Sequence, residues 1–191
     1  MARIATLVLA ALLPLAAVAA EVGGIKLDDK MRLDAGGPEL VLNGAGIRTR
    51  FVVKVYVAGL YLAEKKPAAA DAIALAGPKR VSIAMLRDVG AQQFNEALVD
   101  GFRANNTAAD VERLKGALDE LSAIMNALGE AKKGSVIALD FVPGTGTRVL
   151  VDGAPKGKPI AGDDFYRGLL RIWLGEKPVD ADLKKGLLGQ G

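Results

Sequence analysis

From Arg48 to Leu62 polar and apolar positions alternate along a β-branched run. The even positions read Arg48, Arg50, Val52, Lys54, Tyr56, Ala58, Leu60 and Leu62, and the odd ones Thr49, Phe51, Val53, Val55, Val57, Gly59 and Tyr61. Strand side chains point to alternate faces. The pattern therefore predicts one long strand with an almost wholly apolar face and an opposite face carrying cations and a phenol. Upstream, Ile25–Leu33 and Glu39–Leu42 read as short strands around the turn signal Ala35-Gly36-Gly37-Pro38. The second leads through Asn43-Gly44-Ala45-Gly46 into the long strand, with Gly44 and Gly46 read as turn glycines.

The period then changes. After an alanine-rich connection with one helical turn expected near Asp71–Leu75, Arg80–Leu86 alternates as a further strand. Phe94, Leu98 and Phe102 recur every fourth residue within Ala91–Ala104, which predicts a helix with one apolar stripe. Thr107 with Asp110 resembles a capping box, and Val111, Leu114, Leu118, Leu121, Ile124, Met125 and Leu128 carry a second stripe as far as Gly129. Ser135–Val142 and Arg148–Val151 flank Pro143–Thr147 as a hairpin, and the segment to Pro159 reads as a turn and short edge strand. Helices are expected from a cap at Asp163 to Leu174, and over Asp180–Leu188. Strands and helices come in blocks, which favours α+β with an antiparallel sheet over a doubly wound fold.

Composition narrows the chemistry. With no histidine and no cysteine, Ser-His and Cys-His catalysis and disulfides are excluded. The pairs Asp28-Asp29, Asp163-Asp164 and Asp180/Asp182 lack histidine partners, so neither a metal nor a cofactor is expected. Charges are interleaved, 25 basic against 22 acidic residues, and aromatics are few, which argues against nucleic acid. Arg3 followed by the uncharged run Ile4–Ala20 reads as a signal peptide, residues 1–20, cut after Ala20. Residues 21–191 are then one domain, periplasmic or secreted, with no membrane-spanning segment after cleavage.

The stretch Leu42–Leu62, LNGAGIRTRFVVKVYVAGLYL, resembles the Gly-Ala-Gly-x-Arg … Phe-x-x-Lys … Gly-x-Tyr-Leu stretch of the chalcone isomerase fold. Gln93-Phe94-Asn95-Glu96 resembles the start of that family's first long helix. Ile172-Trp173-Leu174-Gly175, Pro178 and Leu187-Leu188-Gly189 resemble its C-terminal helices. The whole is most similar to the short, exported bacterial branch of chalcone isomerase-like proteins. The resemblance implies an open-faced β-sandwich: a large antiparallel sheet covered on one side by helices, with a ligand cleft between them.

Carried over residue by residue, the family's catalytic arginine falls on Arg48, its threonine on Tyr56 and its tyrosine on Phe94. The cleft lysine and asparagine fall on Ala97 and Gly101. Stabilising an enolate needs preorganised donors at the oxygen where charge develops. Phe94, Ala97 and Gly101 have none, so no catalytic residue is assigned. An arginine and a tyrosine can instead hold a carboxylate. Fatty-acid-binding members of the fold are thought to use such a pair. The resemblance thus implies Arg48 and Tyr56 as ligand residues, with Phe94, Leu98, Phe102 and Leu60 as walls.

The leading expectation is a non-catalytic binder of a small amphipathic acid. An isomerase or intramolecular lyase on a flavonoid-like substrate is the alternative, and a ligand-free interaction module the third. The bland reading of Arg48, Arg50 and Lys54 is a solvated strand face. One geometric condition applies to the lead. Eight residues along an unbroken strand span roughly 26 Å, so Arg48 and Tyr56 meet only if the chain turns between them, and Thr49-Arg50 is a poor turn sequence.

Overall fold

A computed structural model describes residues 19–191. In chain order the elements are β1 (Ala19–Val22), β2 (Ile25–Asp28), β3 (Lys30–Arg32), β4 (Glu39–Arg50), β5 (Val53–Leu62), α1 (Ala69–Ala74), β6 (Lys79–Met85) and β7 (Val89–Gly90). There follow α2 (Ala91–Asn105), α3 (Ala108–Arg113), α4 (Lys115–Asn126), β8 (Glu130–Ala131), β9 (Val136–Val142), β10 (Gly146–Val151), β11 (Ala154–Ile160), α5 (Asp163–Leu174) and α6 (Ala181–Leu187). The expected signal peptide lies outside the described residues except for Ala19 and Ala20, which begin β1.

Seven strands form one sheet in the order β11-β10-β9-β6-β5-β4-β3, with every neighbouring pair antiparallel. Its helical side buries Tyr56, Ala58, Leu60 and Leu62 of β5 with Val81, Ile83 and Met85 of β6. Ile137, Leu139 and Phe141 of β9 lie beside them, against the apolar stripes of α2, α4, α5 and α6. A smaller core on the other side joins Val57 and Tyr61 to Leu27, Leu40 and Leu42, where the β1–β2 hairpin lies over the sheet. This is the α+β, open-faced arrangement expected.

The long strand is not one strand. It breaks into β4 and β5, joined by a two-residue turn at Phe51-Val52 with Arg50 paired to Val53. Phe51 takes the turn at φ +56°. The alternation misleads because Phe51 and Val52 are strong strand formers placed at a turn. Ile25–Leu33 likewise divides at Asp29 into β2 and β3, and the helix after Thr107 divides at Leu114 into α3 and α4. Thr107 does cap α3, its hydroxyl accepting from the Asp110 N–H at 3.1 Å. Asp163 is not a cap. Gly162 holds that position, and Asp163 lies in the first helical turn of α5, where its charge favours the helix dipole.

Gly44 and Gly46 are not turn glycines either, but interior residues of β4. Their missing side chains let α6 lie against the strand. A Cβ on Gly44 would collide with the Gly186 carbonyl, and one on Gly186 would sit 2.5 Å from the Ala45 carbonyl oxygen. Asn43 fastens the same seat. Its buried amide donates to the Leu187 carbonyl at 2.7 Å and accepts from the Lys66 N–H at 2.6 Å.

Candidate ligand-binding site

The turn at Phe51-Val52 folds β5 back along β4, so Arg48 and Tyr56 become direct cross-strand partners. The register slips by one residue between Arg48 and Thr49, a bulge beside the pair. The Arg48 guanidinium carbon sits 5.6 Å from the centre of the Tyr56 ring, within cation–π range. The roughly 26 Å of an unbroken strand does not arise.

Tyr56 is only 2% exposed. Its ring meets Phe94 of α2 edge-on, centroids 6.4 Å apart, and its oxygen accepts from the Trp173 indole N–H at 2.9 Å. Burial pushes the phenol above its ordinary pKa, while the Arg48 charge and then the Trp173 hydrogen bond pull it back. The phenol is therefore protonated at neutral pH. Its oxygen is already held by Trp173, so its O–H is the group it has left to give.

Arg48 is half-buried. Among the described residues no carboxylate lies within 4.0 Å of its guanidinium, and its buried Nε has no hydrogen-bond partner. A buried donor left unsatisfied costs about 1–3 kcal/mol. Asp180 comes near without closing the gap. Its carboxylate accepts from the Thr49 N–H at 2.9 Å and from Asp182 and Leu183 at the start of α6. Its acceptors are committed to backbone.

Arg48 opens onto a cleft of about 490 Å3. Ala97, Gly101 and Ala104 of α2 form its small-residue floor, with Val179 opposite and Arg50, Gln93, Glu96, Asp100 and Lys177 around the rim. Ala97 and Gly101 are the positions onto which the family's cleft lysine and asparagine fall. Gly101 has no room for a longer residue, since a Cβ there would sit 2.9 Å from Ile172 Cγ2.

Arg48, Tyr56 and Phe94 are thus brought together. Leu98, Phe102 and Leu60 lie deeper, each buried in the helical-side core, with the Phe102 ring tilted against that of Phe165, centroids 5.9 Å apart. The stripe they belong to is filled by α5. Arg50 and Lys54 are exposed, and Arg50 reaches the cleft rim. Two neighbours of the pair, Trp173 bonded to Tyr56 and Asp180 bonded to the Thr49 N–H, do not stand out in the sequence as site residues. In sequence Trp173 reads as an apolar helix residue within the C-terminal resemblance, and Asp180 as a helix start paired with Asp182. A tryptophan is the signal that could have marked the first, because a buried indole N–H needs an acceptor.

A chalcone isomerase-like family model matches residues 19–189. The chain belongs to the chalcone isomerase-like family. Its fold is shared with the crystal structure of a fatty-acid binding protein from Arabidopsis thaliana, at a TM-score of 0.64 and 15% identity, covering 86% of this chain and 92% of that one. No curated protein sequence matches the chain. Within the chalcone isomerase-like fold, Arg48 lines the cleft beside the first long helix, while Tyr56 lies behind it in the core and does not line the cleft.

Proposed function

We propose that the protein is an exported, non-catalytic binder of a small amphipathic carboxylic acid, with Arg48 as the anion anchor. The observation that carries this reading is the half-buried Arg48 guanidinium, which faces a cleft with its Nε unpartnered and no carboxylate within 4.0 Å. A carboxylate in the cleft would accept from Arg48, and one drawn in beyond it would accept a hydrogen bond from the Tyr56 O–H. The apolar part would lie on Ala97, Gly101, Ala104 and Val179. A longer tail reaches Phe94, Leu98, Phe102 and Leu60 only by parting α2 from the sheet. The likeness to a fatty-acid binding protein supports the class of ligand.

Isomerase chemistry draws no support from the same geometry. Phe94 packs T-shaped on Tyr56, and Phe94, Ala97 and Gly101 bring no side-chain donor to a developing oxyanion. The filled core around Leu60, Leu98 and Phe102 does favour a second reading, the ligand-free interaction module.

Mass spectrometry of small molecules that co-purify with the folded protein separates the two. Binding predicts a carboxylic acid released from wild type and absent from Arg48→Ala. No acid in either sample supports the interaction module. Export is checked in the same preparation, where a chain starting at Glu21 is expected.

A further inference from the structure

The β4–β5 turn breaks a local rule in plain view. A two-residue hairpin turn whose first residue has positive φ ordinarily carries glycine there, yet this one carries Phe51 at φ +56°. Phe51 is 93% and Val52 92% exposed, the two most exposed large apolar residues among those described. Turn strain plus two apolar side chains held in water is unfavourable twice over, and such conflicts mark functional positions.

The surroundings of the tip are basic. Arg50 and Lys54 flank it along the hairpin, and Arg87 and Lys133 line the clefts on its β6 side beside Val53. All four are exposed, and among the described residues none is in an ion pair. One acidic residue faces them, Asp88, whose carboxylate accepts from the Lys133 backbone N–H at 2.7 Å. Glu96 and Asp100 lie further round, on the α2 rim of the Arg48 cleft.

We infer that the Phe51-Val52 tip with its Arg50, Lys54, Arg87 and Lys133 collar docks the protein onto an anionic lipid bilayer. Two protruding side chains are too little area for a stable protein interface, which buries roughly 1,200–2,000 Å2. They suit shallow insertion at a headgroup boundary, where the collar adds attraction to anionic lipid. The tip cleft and the Arg48 cleft share Arg50, Gln93 and Ala97. A docked tip therefore sets the mouth of the Arg48 cleft at the membrane surface. Docking stands on the tip alone and does not require that Arg48 bind an acid.

Co-sedimentation with vesicles of phosphatidylglycerol and phosphatidylethanolamine, against vesicles of phosphatidylcholine alone, tests this. Because the apolar run Ile4–Ala20 could enter bilayers if retained, every comparison is between variants of the same purified chain. Wild type should prefer the anionic vesicles. Phe51→Ser with Val52→Ser, and separately Arg50→Gln with Lys54→Gln, should each lower partitioning by about tenfold. The tip is solvent-exposed, so circular dichroism should show both variants folded.

Phe51→Trp supplies an independent readout, since Trp173 is buried. The emission of that variant should shift to the blue on anionic vesicles. Equal binding to both vesicle types, undiminished binding by the double serine variant, or an unshifted emission from Phe51→Trp would each overturn the inference. Self-association abolished by the serine variant without vesicle binding would also overturn it, and would assign the tip to a second copy of the chain.

Discussion

Three arginines on this sheet meet different fates. Arg80 of β6 and Arg148 of β10 stand on either side of Asp140 in β9, each its cross-strand partner. Arg80 grips Asp140 with two bonds of 2.5 and 2.7 Å, Arg148 reaches it at 3.5 Å, and the carboxylate is wholly buried. Arg148 also binds Asp34 at 2.8 Å. Arg48 of β4 is half-buried too, and like Arg148 it leaves its Nε unpartnered, but it lies on a phenol ring with no carboxylate within 4.0 Å among the described residues. Arg80 and Arg148 are tied into the sheet by carboxylates. Arg48 has none in reach, and that difference is what supports the proposal that it binds a ligand.

Asp140→Ala should widen the contrast most. It strands two cations beside a buried position and should cost about 3–5 kcal/mol in urea unfolding, while Arg48→Ala changes stability by less than about 1 kcal/mol. Comparable losses for the two would erase the distinction. Next comes Gly44→Ala, which pushes α6 off β4 on the Arg48 side only. We expect a loss of about 2–3 kcal/mol, with the Arg80–Asp140 side retaining its amide-exchange protection.

Another cation gives a smaller effect, read through pH. Lys79 is buried, with its ammonium 5.2 Å from the Phe141 ring and donating to the Gly77 carbonyl. Burial first, then the Arg167 charge, pulls its pKa down from 10.5 to about 8, with Asp163 opposing. The full cost of burying the charge is present below pH 8, and between there and 10.5 the unfolded chain binds more protons. Stability should thus rise with pH from about 8 to 10, by about 1–2 kcal/mol. Above about pH 10 the tyrosines reverse the trend, because burial raises Tyr56, Tyr61 (to about 12) and Tyr166. Lys79→Met should flatten the rise. The smallest effect is Phe51→Gly, which relieves the positive φ and should stabilise the hairpin by about 0.5–1 kcal/mol.

How far the sequence spoke depended on the range of the interaction. Periodicity placed α2, α5, β6, β9 and β10 because each buries its own apolar stripe. The family resemblance singled out Arg48 and Tyr56, but periodicity alone kept them far apart. Their meeting rests on a turn made by Phe51 and Val52, which no turn propensity announces. The Asp140 pairings required the register of β6, β9 and β10. The role of Gly44 and Gly46 depended on Gly186, far along the chain, arriving on the same strand. Trp173 became a partner of Tyr56 in the same way.

The account stands most directly on Arg48 as the seat of a carboxylate. Isothermal titration of decanoate into wild type, Arg48→Lys and Arg48→Ala measures it. Loss of a charge-assisted bidentate contact is worth about 1.5–3 kcal/mol, so Arg48→Ala should bind about 10- to 100-fold more weakly, with Arg48→Lys between. Binding that is unchanged in Arg48→Ala, or absent from wild type, would contradict it.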